Sequence, residues 1–346
     1  MYSLDASLFT RALRRECVER IPFWDVLYGL PEHLAGALLG RELDAGQDRV
    51  GQLSDYAPED QLALARRLGV DVIGFRAGWG FGGDVWVTDE RGVRRYVDGR
   101  IKRRADITEL PPLDVGATYR KVERFLAATE GTGAGVYVGL HGIFHDVIQS
   151  VGYGDFMLAL HDDPGFVETL LDISLEHNVQ LVEGLAAYPL TFLRFYEDIA
   201  YNRGLMLRPE VFKRLWLPRV VRLVAPARAA GLPVTLHCCG RLDQMLPLAI
   251  EAGFGAIDPI EPGCNDIYAL HARYGELICF MGNIGIDLLT DGPPERIAAA
   301  VREQVGRLGS RGGYVIKTGN HFNENVPAAH VLALAQAARC FGQATH

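Results

Sequence analysis

The chain has 346 residues, of which 49% are hydrophobic and 23% are charged, as in an ordinary globular protein with a large core. Its 35 lysines and arginines against 43 aspartates and glutamates leave a net charge of -8, which excludes the broad basic surface of a nucleic-acid-binding protein. No run of about 18 apolar residues occurs, so no membrane-spanning helix is expected. The start lacks the apolar segment of a secretory signal, and the six cysteines lack disulfide-framework spacing. We therefore expect a cytoplasmic protein with free thiols.

Short apolar segments rich in β-formers recur along the chain and predict buried strands. They begin near residues 21, 70, 135, 191, 233, 256, 278 and 313. Most are separated by segments with helical periodicity, the longest at residues 163–184, where Val167, Leu171 and Leu175 lie on one face. Further helices are predicted at residues 31–40, 58–68, 209–229, 242–252, 266–274 and 293–308, and a last one closes the chain.

Residues 79–113 depart from this alternation. Residues 84–89 and 93–97 are charged and alternating, and they flank Glu90-Arg91-Gly92, which predicts a β-hairpin. We expect the hairpin to be a surface insertion and not a second domain.

Buried strands that alternate with helices are typical of parallel sheets, and eight such units favour a closed barrel. No Gly-x-Gly-x-x-Gly follows the first strand, which argues against a dinucleotide-binding sheet. The sequence shows no internal repeat and no low-complexity linker. The predicted fold is α/β: a single (β/α)8 TIM-type barrel domain over residues 1–346, with a β-hairpin insertion after strand 2.

Polar residues recur where the predicted strands end, and active sites in such barrels lie at the C-terminal ends of the strands. They are Asp25, Arg76, His141, Glu197, Asp198, His237, Cys239, Glu261, Asn283 and the stretch from Lys317 to His321. Asn283 is expected to line the pocket, and Trp24, Trp79 and Phe81 to form an apolar wall beside it.

The fifth predicted strand ends in His237-Cys238-Cys239-Gly240. Because strand residues two apart face the same side, His237 and Cys239 share a face and Cys238 faces away. Imidazole and thiolate are zinc ligands, so the pair predicts half of a zinc site. A packed strand end with one core cysteine and a hydrogen-bonded histidine is the alternative.

Several motifs between residues 195 and 331 carry a family resemblance. They are Tyr196-Glu197-Asp198-Ile199-Ala200, Gly204 with Arg208-Pro209-Glu210-Val211-Phe212, His237-Cys238-Cys239-Gly240, Gly282-Asn283-Ile284 and Gly292-Pro293-Pro294-Glu295. Together they resemble the uroporphyrinogen decarboxylase superfamily, and most closely its methylcobamide methyltransferase branch. The resemblance extends over most of the chain from about residue 5 and implies the same barrel.

This resemblance implies a zinc-dependent methyltransferase that moves a methyl group between a small substrate or thiol and a separate corrinoid protein. Zinc would deprotonate the thiol at neutral pH. His237 and Cys239 match the family's metal ligands, and Glu197 matches an acidic position that is either a ligand or a base. The expected catalytic residues are Glu197, Asp198 and Asn283. The chain contains no Asp-x-His-x-x-Gly, so a partner protein must carry the methylcobamide.

One stretch departs from the family pattern. The family's third ligand is a cysteine soon after the last strand, where this chain has Lys317-Thr318-Gly319-Asn320-His321-Phe322. His321 is predicted to replace it, since imidazole is also a zinc ligand. The expected metal ligands are then His237, Cys239, Glu197 and His321. Asn320 in that position, with altered or lost metal affinity, is the alternative.

Two other functions stay open. A porphyrinogen decarboxylase needs an arginine-rich N-terminal segment for its substrate's carboxylates, but residues 21–30 contain no arginine. A non-catalytic barrel that binds a small molecule or tetrapyrrole would account for the missing cysteine.

Overall fold

Helices and strands alternate along most of the chain in the computed structural model, which describes residues 2–47, 54–77, 83–88, 90, 94–110 and 112–343. The strands in chain order are β1 (Gly46–Gln47), β2 (Ser54–Asp55), β3 (Val72–Ala77), β4 (Asp84–Thr88), β5 (Arg94–Gly99), β6 (Gly135–His141), β7 (Phe192–Tyr196), β8 (Ala200–Tyr201), β9 (Gly204–Leu205), β10 (Val234–His237), β11 (Ala256–Ile260), β12 (Cys279–Gly282) and β13 (Tyr314–Val315).

The helices follow the same chain order. They are α1 (Ala6–Leu13), α2 (Glu32–Leu39), α3 (Pro58–Leu68), α4 (Val115–Thr129), α5 (Ile143–Val151), α6 (Tyr153–Asp162), α7 (Pro164–Leu185), α8 (Pro209–Leu215), α9 (Leu217–Ala229), α10 (Met245–Ala252), α11 (Ile267–Tyr274), α12 (Ile286–Asp291), α13 (Pro294–Leu308) and α14 (Ala328–Phe341). Short 3-10 helices cover Leu27–Gly29, Arg104–Glu109 and Gly309–Arg311.

Aspartates fix the start of several helices. The side chains of Asp5, Asp114, Asp163 and Asp266 each accept a hydrogen bond from a backbone N–H in the first turn of the helix that follows. In the described part of the chain, no helix combines the length and apolarity needed to cross a membrane.

Seven strands form one parallel sheet, in the order β13-β12-β11-β10-β7-β6-β3. Phe23 makes parallel bridges to residues beside both edge strands, Val70 just before β3 and Ile316 just after β13. One segment therefore touches both edges of the sheet. The sheet curls, as expected for a TIM-type barrel.

The first predicted strand is not a regular strand. Its ladder is limited to bridges at Phe23, with backbone hydrogen bonds from Trp24 N to Ile316 O (3.0 Å) and from Ile316 N to Pro22 O (2.9 Å). Pro22 has no N–H to donate, and a 3-10 helix begins soon afterwards at Leu27. The predicted eight strands are thus corrected to seven strands and a bridging segment.

Within the segment predicted as an insertion, β4 and β5 pair in antiparallel fashion with a register shift after Val85. Tyr96 on β5 donates to the backbone carbonyl of Gln149 on α5 (2.8 Å), which fastens the pair to the body of the fold. Most of the predicted turn at Glu90-Arg91-Gly92 lies outside the described residues.

Aromatic side chains fill the interior of the curled sheet below the strand ends. Tyr137 and Phe192 are register partners on β6 and β7, and their rings stack with centroids 4.7 Å apart. Trp24 meets the edge of the Tyr137 ring at 5.4 Å. These rings support the polar residues at the strand ends from below.

Candidate metal site

Four neighbouring strands place side chains in one row at their C-terminal ends. His141 on β6, Tyr196 on β7, His237 on β10 and Asp258 on β11 are consecutive register partners. Because register partners in a parallel sheet point to the same face, these four side chains share the interior face.

Three ligand-type side chains meet at this row: Asp198, His237 and Cys239, which we call the ligand group. Their candidate ligand atoms all lie within 4.8 Å of one another. His237 Nε2 is 3.6 Å from Cys239 Sγ and 3.7 Å from Asp198 Oδ1. Ligands of a tetrahedral zinc ion at about 2.0–2.3 Å lie about 3.4–3.6 Å apart. The spacing and the nitrogen, sulfur and oxygen donors therefore fit zinc.

The carboxylates beside Cys239 favour a cation next to its thiol. Burial, together with the carboxylates of Asp198 and Glu261, raises the pKa of the Cys239 thiol well above its usual value. Burial alone would raise the pKa of Asp198, but the charges of His237 and His145 outweigh it and hold that pKa below its usual value. The site thus holds an ionised carboxylate and a thiol that needs a nearby cation to lose its proton.

Asp258 supports His237 from behind. Its Oδ2 lies 3.1 Å from His237 Nδ1, and both side chains are buried. In the tautomer with the proton on Nδ1, His237 donates a hydrogen bond to Asp258 and the lone pair on Nε2 faces the ligand group, as zinc ligation requires. Arg194 Nη2 also lies 2.8 Å from Nδ1, so in the other tautomer His237 accepts from Arg194.

A balanced set of buried charges holds Asp258 in place. Arg194 Nε donates to Asp258 Oδ1 (2.9 Å), and Lys317 Nζ lies 3.8 Å from Asp258 and 3.7 Å from Asp25. Burial disfavours the charge on Asp258, but Arg194 and His237 outweigh it, so its pKa lies well below the usual range. The negative charges of Asp25 and Asp258 are therefore balanced inside the barrel by the positive charges of Arg194 and Lys317.

Sequence reasoning missed the roles of Arg194 and Asp258. Both residues lie inside strands that are otherwise apolar, Phe192–Tyr196 and Ala256–Ile260. A charged residue inside a buried strand was the available signal, because such a charge needs a buried partner.

Glu197, predicted as a ligand or base, is directed elsewhere. Its carboxylate accepts hydrogen bonds from Phe144 N (3.2 Å), His145 N (3.0 Å) and Trp216 Nε1 (2.9 Å). Gly142 permits this approach, since a Cβ there would lie 2.2 Å from Glu197 Cδ. The structure therefore uses Glu197 to bind the start of α5 and brings Asp198 to the ligand group in its place.

Burial of Glu197 leads to a prediction about stability. Burial raises its pKa from 4.5 to about 7, against the hydrogen bonds it accepts. An acid with a raised pKa stabilises the fold below its ordinary pKa and loses that contribution as the pH rises through the folded value. Between pH 4.5 and 7 the free energy of unfolding should therefore fall by about 3 kcal/mol through this group. Urea unfolding at several pH values should show this slope reduced in Glu197→Gln. The exposed Glu251→Gln control should keep the slope, and an unchanged slope in Glu197→Gln would contradict the assignment.

The loop after β13 reaches the ligand group through Asn320 and His321. Asn320 Nδ2 lies 3.8 Å from Cys239 Sγ and donates to Glu261 Oε1 (2.8 Å). The rings of His321 and His237 are 5.8 Å apart, and the buried His321 Nδ1 has no hydrogen-bond partner among the described residues. Burial and nearby cationic side chains hold the pKa of His321 well below its usual value, so its imidazole is neutral at pH 7, the form that binds metals. His321 thus lies beside the ligand group, but not within it.

Asn283 is held in a separate network. Its Nδ2 donates to Ile260 O (2.9 Å), and its Oδ1 accepts from Gln304 Nε2 (3.3 Å). The structure therefore gives this residue structural partners and does not bring it into the ligand group. Of the predicted apolar wall, Trp24 is buried beneath Arg194, whereas Trp79 and Phe81 lie outside the described residues.

The chain matches one known protein family over nearly its whole length. The family described as Uroporphyrinogen decarboxylase (URO-D) matches residues 4–341. The chain belongs to this family. This match confirms the resemblance to the uroporphyrinogen decarboxylase superfamily. No curated protein sequence matches the chain significantly.

Two solved structures are similar to this URO-D chain to different degrees. A methyltransferase from Methanosarcina mazei is similar with a TM-score of 0.73 and 16% sequence identity, over 98% of this chain and 99% of that chain. A D-psicose 3-epimerase from Clostridium cellulolyticum H10 reaches a TM-score of 0.47 at 11% identity, over 82% of this chain and 92% of its own. The first of these likenesses supports a common barrel architecture.

Proposed function

We propose that this URO-D family protein is a zinc-dependent methyltransferase, which moves a methyl group between a small substrate or thiol and a separate corrinoid protein. The observation that carries the proposal is the ligand group, whose sulfur, nitrogen and oxygen atoms lie within 4.8 Å of one another at the strand ends. When bound there, zinc would supply a positive charge that makes a thiol nucleophilic at neutral pH.

Several residues of the chain would have separate roles around the zinc ion. His237, Cys239 and Asp198 would hold it, and His321 is a further candidate ligand from the loop after β13. The side chain of Asp198 is 34% exposed, so this edge of the site is open to an entering molecule. Asp258 orients His237 from the buried side.

The family match and the methyltransferase name of the Methanosarcina mazei structure support methyl transfer. The decarboxylase alternative would need cations for a substrate with many carboxylates. Residues 21–30 are buried except Gly29, and their one charged side chain, Asp25, is an acid bonded to Thr318. This segment therefore offers no cation to such a substrate.

Adjacent acidic residues provide a sharp test of the site. Protein purified without chelator should contain about one zinc ion per chain, as expected for three protein ligands and an open position. Asp198→Asn should lower zinc affinity about 10- to 100-fold or more, whereas Glu197→Gln, one residue away, should leave it unchanged. His321→Ala should lower it measurably if His321 is a ligand. Metal content and affinity are read by mass spectrometry and chelator competition.

Activity completes the test. Zinc-loaded protein should convert methylcobalamin and 2-mercaptoethanol to demethylated cobalamin and the methyl thioether under anoxic conditions, followed by absorbance. Asp198→Asn should lose this activity and Glu197→Gln should retain it. Absence of zinc from the native protein, or an unchanged zinc affinity in Asp198→Asn, would refute the proposed site.

A further inference from the structure

A second pair of polar side chains lies at the same strand ends, outside the ligand group. His141 Nδ1 is 2.8 Å from Asp146 Oδ1. Asp146 is in the first turn of α5 and only 5% exposed, and its buried Oδ2 has no hydrogen-bond partner in the part of the chain that the structure describes. Within the described part of the chain, the Asp146 carboxylate therefore makes one hydrogen bond, which joins it to His141.

The pair prepares His141 to accept a proton. Asp146 lies in the first turn of α5, where the helix N-terminus favours a negatively charged side chain. A carboxylate that accepts a hydrogen bond from the Nδ1–H of His141 leaves the lone pair of Nε2 on the opposite side of the ring. The His141 side chain keeps 11% exposure at the mouth of the barrel. An imidazole held in this way by a buried carboxylate is an arrangement used for general base catalysis.

The register of the sheet directs His141 towards the ligand group. His141 and His237 lie in the same row, two strands apart, so their Cα atoms are separated by about 10 Å. Tyr196 lies between them in the row, but its hydroxyl bonds to Arg194 and Tyr28.

Tyr196 thus forms a floor between the two histidines. Arg194 lies two residues before Tyr196 on β7, towards the start of the strand, so the Tyr196 ring leans down into the barrel. Gly139 accommodates the ring, because a Cβ on Gly139 would lie 2.8 Å from Tyr196 Cε2. A molecule of a few atoms above this floor would contact the ligand group at one side and His141 at the other.

We propose that His141, positioned by Asp146, takes the proton from a thiol that binds at the ligand group. The S–H bond breaks, its electron pair stays on sulfur, and the proton forms a second N–H bond at His141 Nε2. This inference rests on the proposed function, since it requires a thiol to bind there. It assigns a proton acceptor to the reaction and gives the pair with Asp146 a positioning role.

Counting protons tests the inference without relying on turnover. Zinc-loaded full-length protein is titrated with 2-mercaptoethanol at pH 7.5 by calorimetry in buffers of different ionisation enthalpy, which gives the protons released per thiol bound. Wild type should release fewer protons per thiol than His141→Gln, because His141 takes up part of the proton. His141→Gln should release about one proton per thiol and bind the thiol about tenfold more weakly. Asp146→Asn should likewise release more protons per thiol than wild type and bind the thiol more weakly.

The surface supplies a matched control. His161 Nδ1 lies 2.8 Å from Asp162 Oδ1 in a pair of the same chemistry, but the His161 side chain is 91% exposed. His161→Gln should therefore release the same number of protons as wild type. Equal proton release in wild type, His141→Gln and Asp146→Asn, with thiol binding intact, would overturn the inference alone. Failure of zinc-loaded wild type to bind the thiol would overturn the proposed function and the inference with it.

Discussion

Replacing Cys239 with serine should reduce zinc affinity by at least about 100-fold, because the thiolate is the soft ligand of the site and a serine hydroxyl is a poor substitute. The structure strengthens this expectation, since Cys239 Sγ lies 3.6 Å from His237 Nε2, the distance expected between two ligands of one ion. Competition with a chromophoric chelator measures the affinity. Cys340→Ser removes an exposed thiol from α14 and serves as the matched control, which should bind zinc like wild type.

The same variant should also lose a pH dependence. Because the pKa of the Cys239 thiol is raised, zinc must displace its proton at neutral pH. Zinc affinity of the wild type should therefore rise about tenfold per pH unit while the thiol remains protonated. In Cys239→Ser this dependence should largely disappear. Equal zinc affinity in Cys239→Ser and Cys340→Ser would exclude Cys239 as a ligand.

Seven strand positions and the placement of His237 beside Cys239 could be predicted from local sequence. Short apolar runs mark buried strands, and alternation along a strand fixes which side chains share a face. Glu197 and Asp198 follow β7, which ends at Tyr196. The family resemblance favours Glu197, although alternation from the interior-facing Tyr196 places Asp198 on the interior face. Three hydrogen-bond donors from α5 and the α8–α9 junction direct the Glu197 carboxylate away from the ligand group, and none of them is visible in the local pattern.

The buried charges show a second limit of sequence reasoning. Arg194 and Asp258 are 64 residues apart, and Asp25 and Thr318 are 293 residues apart. Such partners are set by strand order and register, which local periodicity does not contain. A charged residue within an apolar strand indicates that a buried partner exists, but the local sequence does not identify that partner.

Replacing Arg194 with methionine should destabilise the zinc-free protein by about 3–5 kcal/mol, because it leaves the buried carboxylate of Asp258 without its main partner. Arg194 and Asp258 are both fully buried, so water cannot replace the lost interaction. The free energy of unfolding is measured with urea and circular dichroism. Arg222→Met breaks the exposed ion pair with Glu176 (2.8 Å) and should cost less than about 1 kcal/mol.

A double variant separates the structural role of this pair from its role at the metal site. Arg194→Met combined with Asp258→Leu removes both charges and leaves Lys317 with Asp25, 3.7 Å away, so much of the lost stability should return. Zinc affinity should not return, since His237 Nδ1 has lost the carboxylate that directs Nε2 to the ligand group, a loss worth about 10- to 100-fold. Recovery of both properties would show that Asp258 balances charge only. Recovery of stability without zinc affinity would assign Asp258 the orientation of His237.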